Sequence, residues 1–193
     1  MLWDDFLKSD YHDWRGSGHS EDFLDKPGWL EQWLAFHNLP YPGAPSAEEL
    51  DELKRLRGHI LRIVQKLTVR DSADPTNLEG LNRALSGGPM ILRIADSDSE
   101  YRLESTPLQK GWPRIGAEVA ASFGRLLAES DHSRLRICDN PDCKVVYYDE
   151  TRNRSKRFCD DKACGNLMKV RRFRARQKAA KTGGSSIHGS SET

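Results

Sequence analysis

Apolar residues recur at the helical period along most of the first 130 positions. Leu50, Leu53, Leu56, Ile60, Leu61, Val64 and Leu67 predict one long amphipathic helix from about Ala47 to Arg70. Ser46 and Glu49 have the spacing of a capping box at its start. Trp29, Leu30, Trp33, Leu34 and His37 predict a shorter helix with Pro27 in its first turn and Pro40 and Pro42 beyond its end. Asp74-Pro75 opens a further stretch through Leu78, Leu81 and Leu85 that Gly87-Gly88 closes. Ile115, Val119, Phe123, Leu126 and Leu127 share one face of a helix from about Arg114 to Glu129. The period changes between the last two: Met90 to Ile94 and Glu100 to Glu104 have β character around a turn at Asp96 to Ser99, which predicts a β-hairpin. Residues 1 to 25 mix Trp3, Phe6, Tyr11, Trp14 and Phe23 with acidic residues and favour no element. The pattern is α+β, a mostly helical N-terminal domain with a β-hairpin over residues 1–134.

Past Ser133 the pattern gives way to cysteines. Cys138 and Cys143 enclose four residues, Cys159 and Cys164 enclose four more, and fifteen separate the pairs. Four thiolates at this spacing suit one tetrahedral, closed, structural Zn²⁺ site with no open position for a catalytic water. Two disulfides or four free buried thiols are the competing readings. Disulfides need an oxidising compartment, and Met1-Leu2-Trp3-Asp4-Asp5 starts no secretory leader, so the expectation is a cytoplasmic protein with no membrane span. Lys144 to Tyr148 has strand character and is expected to form a hairpin placing Cys143 near Cys159. Asp160 or Asp161 should cap a helix beginning near Lys162, with Ala163, Leu167, Val170 and Phe173 covering the metal core. The outline is a small treble-clef-like zinc finger with four cysteine ligands and a basic C-terminal helix over residues 135–181. A flexible tail over 182–193 follows, and the boundary with the first domain falls near residues 131 to 136.

The overall charge of +1 hides an asymmetry. Residues 152–181 hold 12 Lys or Arg against 2 acidic residues, while residues 1–151 carry 18 basic and 26 acidic ones. A basic end on an acidic body attracts a polyanion locally. Arg152, Arg154, Lys156 and Arg157 precede Cys159; Lys169, Arg171, Arg172, Arg174 and Arg176 follow Cys164. Two such elements on one metal-held scaffold can grip a phosphate backbone, and arginine can also read guanine edges. Duplex DNA is the expected partner. An RNA-binding or ribosome-associated module is the alternative, in which Tyr147, Tyr148 and Phe158 would stack on unpaired bases. The scattered histidines and the lack of a metalloprotease, nucleophile-elbow or phosphate-loop motif give no ground for an enzyme.

The run Cys138-Asp139-Asn140-Pro141-Asp142-Cys143, the stretch Asp149 to Cys159, and Cys164-Gly165-Asn166 followed by Lys169-Val170-Arg171-Arg172-Phe173 together resemble the CGNR zinc finger. In that bacterial family the finger follows an ABATE domain, and its members are regarded as stress-induced transcription regulators. The opening segment, the helix over 27–39, the long helix and the hairpin resemble ABATE more loosely. The resemblance implies one structural Zn²⁺ on the four cysteines and DNA contacts that include Asn166. It also implies an ABATE part that senses a small-molecule effector or forms a homodimer. One position departs: where the family has its fourth, name-giving arginine, this chain has Leu167. The departure leaves fold and zinc untouched and bears on the choice of DNA sequence, with Lys169 and Arg171 as neighbouring substitutes.

Overall fold

The computed structural model describes residues 1–97 and 100–183. The aromatic N-terminal stretch resolves into a short helix, α1 (Leu2–Leu7), then an antiparallel pair, β1 (Asp10–His12) and β2 (Ser20–Asp22), and a 3-10 turn over Phe23–Asp25. Helix α2 (Trp29–Phe36) begins two residues after Pro27, which lies just outside it and not in its first turn, because Gly28 in the left-handed region (φ 76°) supplies the N-cap. Helix α3 (Ala47–Thr68) carries the expected capping box: Ser46 Oγ accepts from the Glu49 amide, and the Glu49 carboxylate accepts from the Ser46 amide. Asp74 caps α4 (Pro75–Ser86). Strands β3 (Met90–Ser97) and β4 (Glu100–Pro107) pair antiparallel, Ile94 opposite Leu103. Residues Asp98 and Ser99, part of the expected turn, lie outside the described residues, while Asp96 and Ser97 extend β3 rather than turn. Helix α5 (Trp112–Glu129) completes the helical body.

The core forms where the apolar stripes of these helices meet. Leu53, Leu56, Ile60, Ile63 and Val64 of α3 pack with Ile115, Val119, Phe123 and Leu126 of α5. Trp3 and Phe6 of α1 and Trp33 and Leu34 of α2 close one side. The Trp3 ring lies 5.2 Å from that of Phe123, tilted by 53°. Ile63 joins the buried face although its spacing does not single it out, while Leu50, Leu61 and Leu67 are packed at the rim. The N-terminal tryptophans divide: Trp3 and Trp33 are core, Trp29 is half-buried against it, and Trp14 packs elsewhere.

Two findings alter the picture of the C-terminal part. Strand β6 (Val146–Tyr148) pairs with β5 (Leu135–Ile137), the strand before the first cysteine, and not with the segment leading to Cys159. Leu135 and Val146 from this hairpin are buried in the same core as α3 and α5. The β5–β6 hairpin therefore belongs to the core of the body, while the cysteines, Tyr147 and Phe158 form a second, smaller cluster. Helix α6 (Asn166–Gly183) continues through Thr182 and Gly183, where the sequence suggests tail, and residues 184–193 lie outside the described residues.

Candidate metal centre and basic surface

All four cysteines are free thiols, and their sulfurs lie within 4.8 Å of one another. Cys143 Sγ is 3.6 Å from Cys159 Sγ, and Cys159 Sγ is 3.9 Å from Cys164 Sγ. Sulfurs at the corners of a tetrahedron with Zn–S bonds of about 2.3 Å would sit about 3.8 Å apart. The distances are those of a metal cage and well beyond a disulfide bond. The disulfide reading fails, and the four cysteines fit one structural zinc ion.

Each ligand is delivered by a local device. Cys138 follows β5, and its amide donates to the Val145 carbonyl (2.9 Å), closing the knuckle in which Lys144 takes a left-handed conformation (φ 55°). Cys164 comes from a wide π-type turn, Asp161–Gly165, whose N-cap Asp160 accepts from the Ala163 amide at 2.7 Å. Crowding four sulfurs sets their proton affinities against each other. Hydrogen bonds from the Cys143 and Cys159 thiols pull Cys138 down to about 2, while bonding to Cys138 pushes Cys143 far up and Cys159 up to about 12. A divalent cation bound by the four sulfurs would take the place of those protons.

Behind the sulfurs lies a second layer that the motif reading does not assign. Asn140 is fully buried; its Nδ2 donates to Cys164 Sγ at 3.3 Å and to the Trp14 carbonyl at 2.8 Å. One amide thus touches both a metal ligand and the β1–β2 loop of the body. Trp14 packs on the small finger core of Tyr147, Phe158 and the cysteines, joined by Val145 and Met168. Next to it Arg171 is clamped: Nη1 meets Asp142 Oδ2 at 2.6 Å and Nη2 donates to the Arg15 carbonyl at 2.9 Å. Gly16 completes the dock, with φ 88° and so little room that a Cβ would stand 2.5 Å from the Arg171 guanidinium. The signal in the sequence is two polar residues inside a cysteine knuckle, Asn140 and Asp142; their partner across the molecule leaves no trace there.

The basic loop before Cys159 is also built rather than loose. Asp149 is fully buried and accepts from the Thr151 hydroxyl (2.6 Å), the Thr151 amide (2.9 Å) and the Lys156 amide (3.1 Å). Burial alone would push its carboxyl up, but those hydrogen bonds outweigh it and hold it below the usual carboxylate value. Arg134 Nη1 donates to the carbonyls of Asp149 and Thr151.

The ten polar and basic positions singled out from the sequence separate into two sets. Arg154 pairs with Asp131 (2.7 Å), Arg157 with Asp139 (2.7 Å), and Arg171 is clamped as above. Lys156 lies over the Tyr147 ring, and Asn166 Nδ2 donates to the Lys162 carbonyl. Arg152, Lys169, Arg172, Arg174 and Arg176 are exposed and form no ion pair among the described residues. Arg157 from the loop and Arg172 from α6 both lie over the Phe158 ring, each 5.8 Å from its centroid. The two basic elements therefore converge on one aromatic residue of the metal core.

The inner face of α6 differs from the expected one. Cys164, Met168 and Arg171 turn inward, whereas Val170 and Phe173 are exposed. The π-type turn before α6 shifts the phase of the helix relative to a plain α-helix begun at Lys162, which moves the buried stripe. Leu167 is half-buried.

Comparison with protein families accounts for nearly all of this architecture. The model of the CGNR zinc finger matches residues 134–177, and the ABATE model, described as "Putative stress-induced transcription regulator", matches residues 2–130. The chain belongs to the ABATE family. Its finger carries the four-cysteine centre of CGNR proteins, with Leu167 in the fourth motif position. No curated protein matches the chain. No helix among the described residues is long and apolar enough to cross a membrane.

Proposed function

We propose that this ABATE–CGNR protein is a zinc-dependent, DNA-binding transcription regulator without catalytic activity of its own. One observation carries the reading: Arg157 of the loop over 149–157 and Arg172 of helix α6 meet over Phe158, and around them Arg152, Lys169, Arg172, Arg174 and Arg176 are exposed without an ion pair among the described residues, on a chain whose remainder is acidic. Such a surface contacts phosphates through several rigidly placed cations. Arg152, Lys169, Arg172, Arg174 and Arg176 are the first candidates for contact; Arg154, Arg157 and Arg171 serve chiefly to hold the loop and helix in place.

An RNA-binding reading loses its stacking platform. Tyr147 is buried with its hydroxyl bonded to the Lys156 carbonyl (2.8 Å), Phe158 is buried under two guanidinium groups, and Tyr148 packs on the main core. Gel-shift titrations of zinc-loaded protein with duplex DNA, single-stranded DNA and structured RNA at several salt concentrations test the choice. The expected result is strongest binding to duplex DNA, with log K falling by about 0.9 per phosphate contact for each unit of log salt. Binding that is absent, indifferent to salt, or stronger for RNA would overturn it.

Effector sensing has support in a cavity of about 330 Å³ between α3, α4 and the start of α5, lined by Glu52, Leu56, His59, Arg83 and Trp112 among others. Its size is at the lower end for small-molecule sites, and its lining mixes an apolar floor with charged groups of both signs. The residues are not the N-terminal tryptophans, which mostly serve the core. Thermal-shift screening against metabolites should raise the melting temperature for a ligand held there, and Trp112→Ala should abolish that rise. No shift across a broad panel would remove the sensing part of the proposal.

A further inference from the structure

Helix α6 turns a mixed basic and apolar face to solvent. Cys164, Met168 and Arg171 point to the metal core, and the residues opposite them, Asn166, Lys169, Val170, Phe173, Arg176 and Gln177, recur at helical spacing. Every residue from Arg172 to Ala180 is exposed, so the helix projects beyond the finger. Near the middle of this face Val170 is 44 % and Phe173 62 % exposed. We propose that α6 lies in the major groove of duplex DNA with Phe173 and Val170 against the 5-methyl groups of thymines. The proposal rests on the DNA-binding reading above and adds which chemical group of the bases is read.

Single exposed apolar side chains are ordinary on a protein surface, but these two stand among cations. Lys169 and Arg176 lie along the same face, about one turn to either side of Phe173, while Arg172 and Arg174 diverge from it by about 100° round the helix in opposite senses. None of the four forms an ion pair among the described residues. A groove asks for this arrangement: phosphates run along both rims and take the flanking guanidinium groups, while base edges lie on the floor beneath the apolar centre. An α-helix with its side chains is about 10–12 Å across, and the major groove is about 12 Å wide. The thymine methyl is the apolar group that bases present there, and a phenyl ring and an isopropyl group have no hydrogen-bonding atom with which to read anything else. A lipid surface fits worse, because Val170 and Phe173 are the only large apolar side chains that α6 exposes among the described residues, and a helix lying on a membrane needs a whole apolar face.

Duplexes selected from random DNA by the full zinc-loaded chain supply the probe, and each is remade with deoxyuridine in place of thymidine, which removes only the 5-methyl groups. Replacement at the contacted positions should weaken wild-type binding about fourfold per methyl, the worth of one buried carbon. Phe173→Ala combined with Val170→Ala should bind the thymine and uracil duplexes equally, and its melting temperature should hold, because both side chains are exposed. Arg174→Ala, on the flank, should weaken both duplexes alike and keep the preference for thymine. Selected sites without thymine, a wild-type protein indifferent to the replacement, or a thymine preference that survives in the double variant would each overturn this inference while leaving salt-dependent DNA binding intact. If the double variant loses affinity but wild type treats thymine and uracil alike, the ring is a wedge between base pairs and the methyl contact is refuted. A chain that enriches no duplex and gives no gel shift fails the DNA-binding reading itself, and binding to phosphatidylserine vesicles in that case, lost in the double variant, would assign the face to a membrane surface instead.

Discussion

Asn140 shows how a single side chain can tie metal chemistry to global packing. Its amide donates to the Cys164 sulfur and to the Trp14 carbonyl, so replacing it acts on both. Asn140→Asp would set a carboxylate beside a thiolate and remove the donor. Zinc affinity, measured by chelator competition, should fall about 10- to 100-fold, the usual effect of losing a partner behind a metal ligand. Asp149 governs the neighbouring loop. Its folded proton affinity is depressed, so its contribution is full above the ordinary carboxylate range near pH ~4 and is lost as pH falls through the lower folded value. The stability gap between wild type and Asp149→Asn, read from denaturant midpoints, should therefore be constant from pH 8 to 5 and shrink in stronger acid. Ser46→Ala removes one half of the capping box on α3 and should cost about 1 kcal/mol by the same measurement.

Most elements follow from local rules, and the exceptions have local causes too. α3 and α4 begin and end where their caps dictate, Ser46 and Asp74 at the starts and Gly87 after α4. Helix α5 starts two residues earlier than its apolar stripe implies, since Gly111 with φ 92° and Pro113 set the first turn. The β5–β6 pairing escapes a reading of the sequence because three-residue strands carry too little pattern to name their partner. The closed knuckle between them does so instead, through the Cys138 amide on Val145. The phase of α6 escapes it for a comparable reason: a π-type turn adds a residue that no periodicity reports. At this scale Gly16→Ala is informative. Left-handed backbone and a Cβ pressed on Arg171 and Asp142 should release the β1–β2 loop from the finger, seen as faster hydrogen exchange in residues 13–18.

At the scale of the molecule the finger and the helical body share their interior. Leu135 and Val146 complete the core around α3, and Trp14 returns the exchange by packing on the finger. Removal of zinc, or Cys159→Ser, should therefore unfold the finger and also lower the melting temperature of the body, since structural zinc supplies about 10 to 16 kcal/mol of apparent binding energy to the fold. Calorimetry with and without chelator checks this. A body transition that ignores the metal would show that the shared core is energetically slight. The sequence by itself determined the helices with strong caps and long stripes, the α+β class, the four zinc ligands and the polarity of charge from acidic body to basic end. These depend on spacing and composition along the chain, which any reader of the order of residues can count. Tertiary structure alone decided that Asn140 meets Trp14 across 126 positions, that Arg171 is clamped while Arg174 and Arg176 are free of ion pairs among the described residues, and that Leu92, Ile94 and Leu103 of the hairpin are exposed among those residues. Those outcomes depend on which surfaces come together in space, and contact between distant segments leaves no periodic mark in either one.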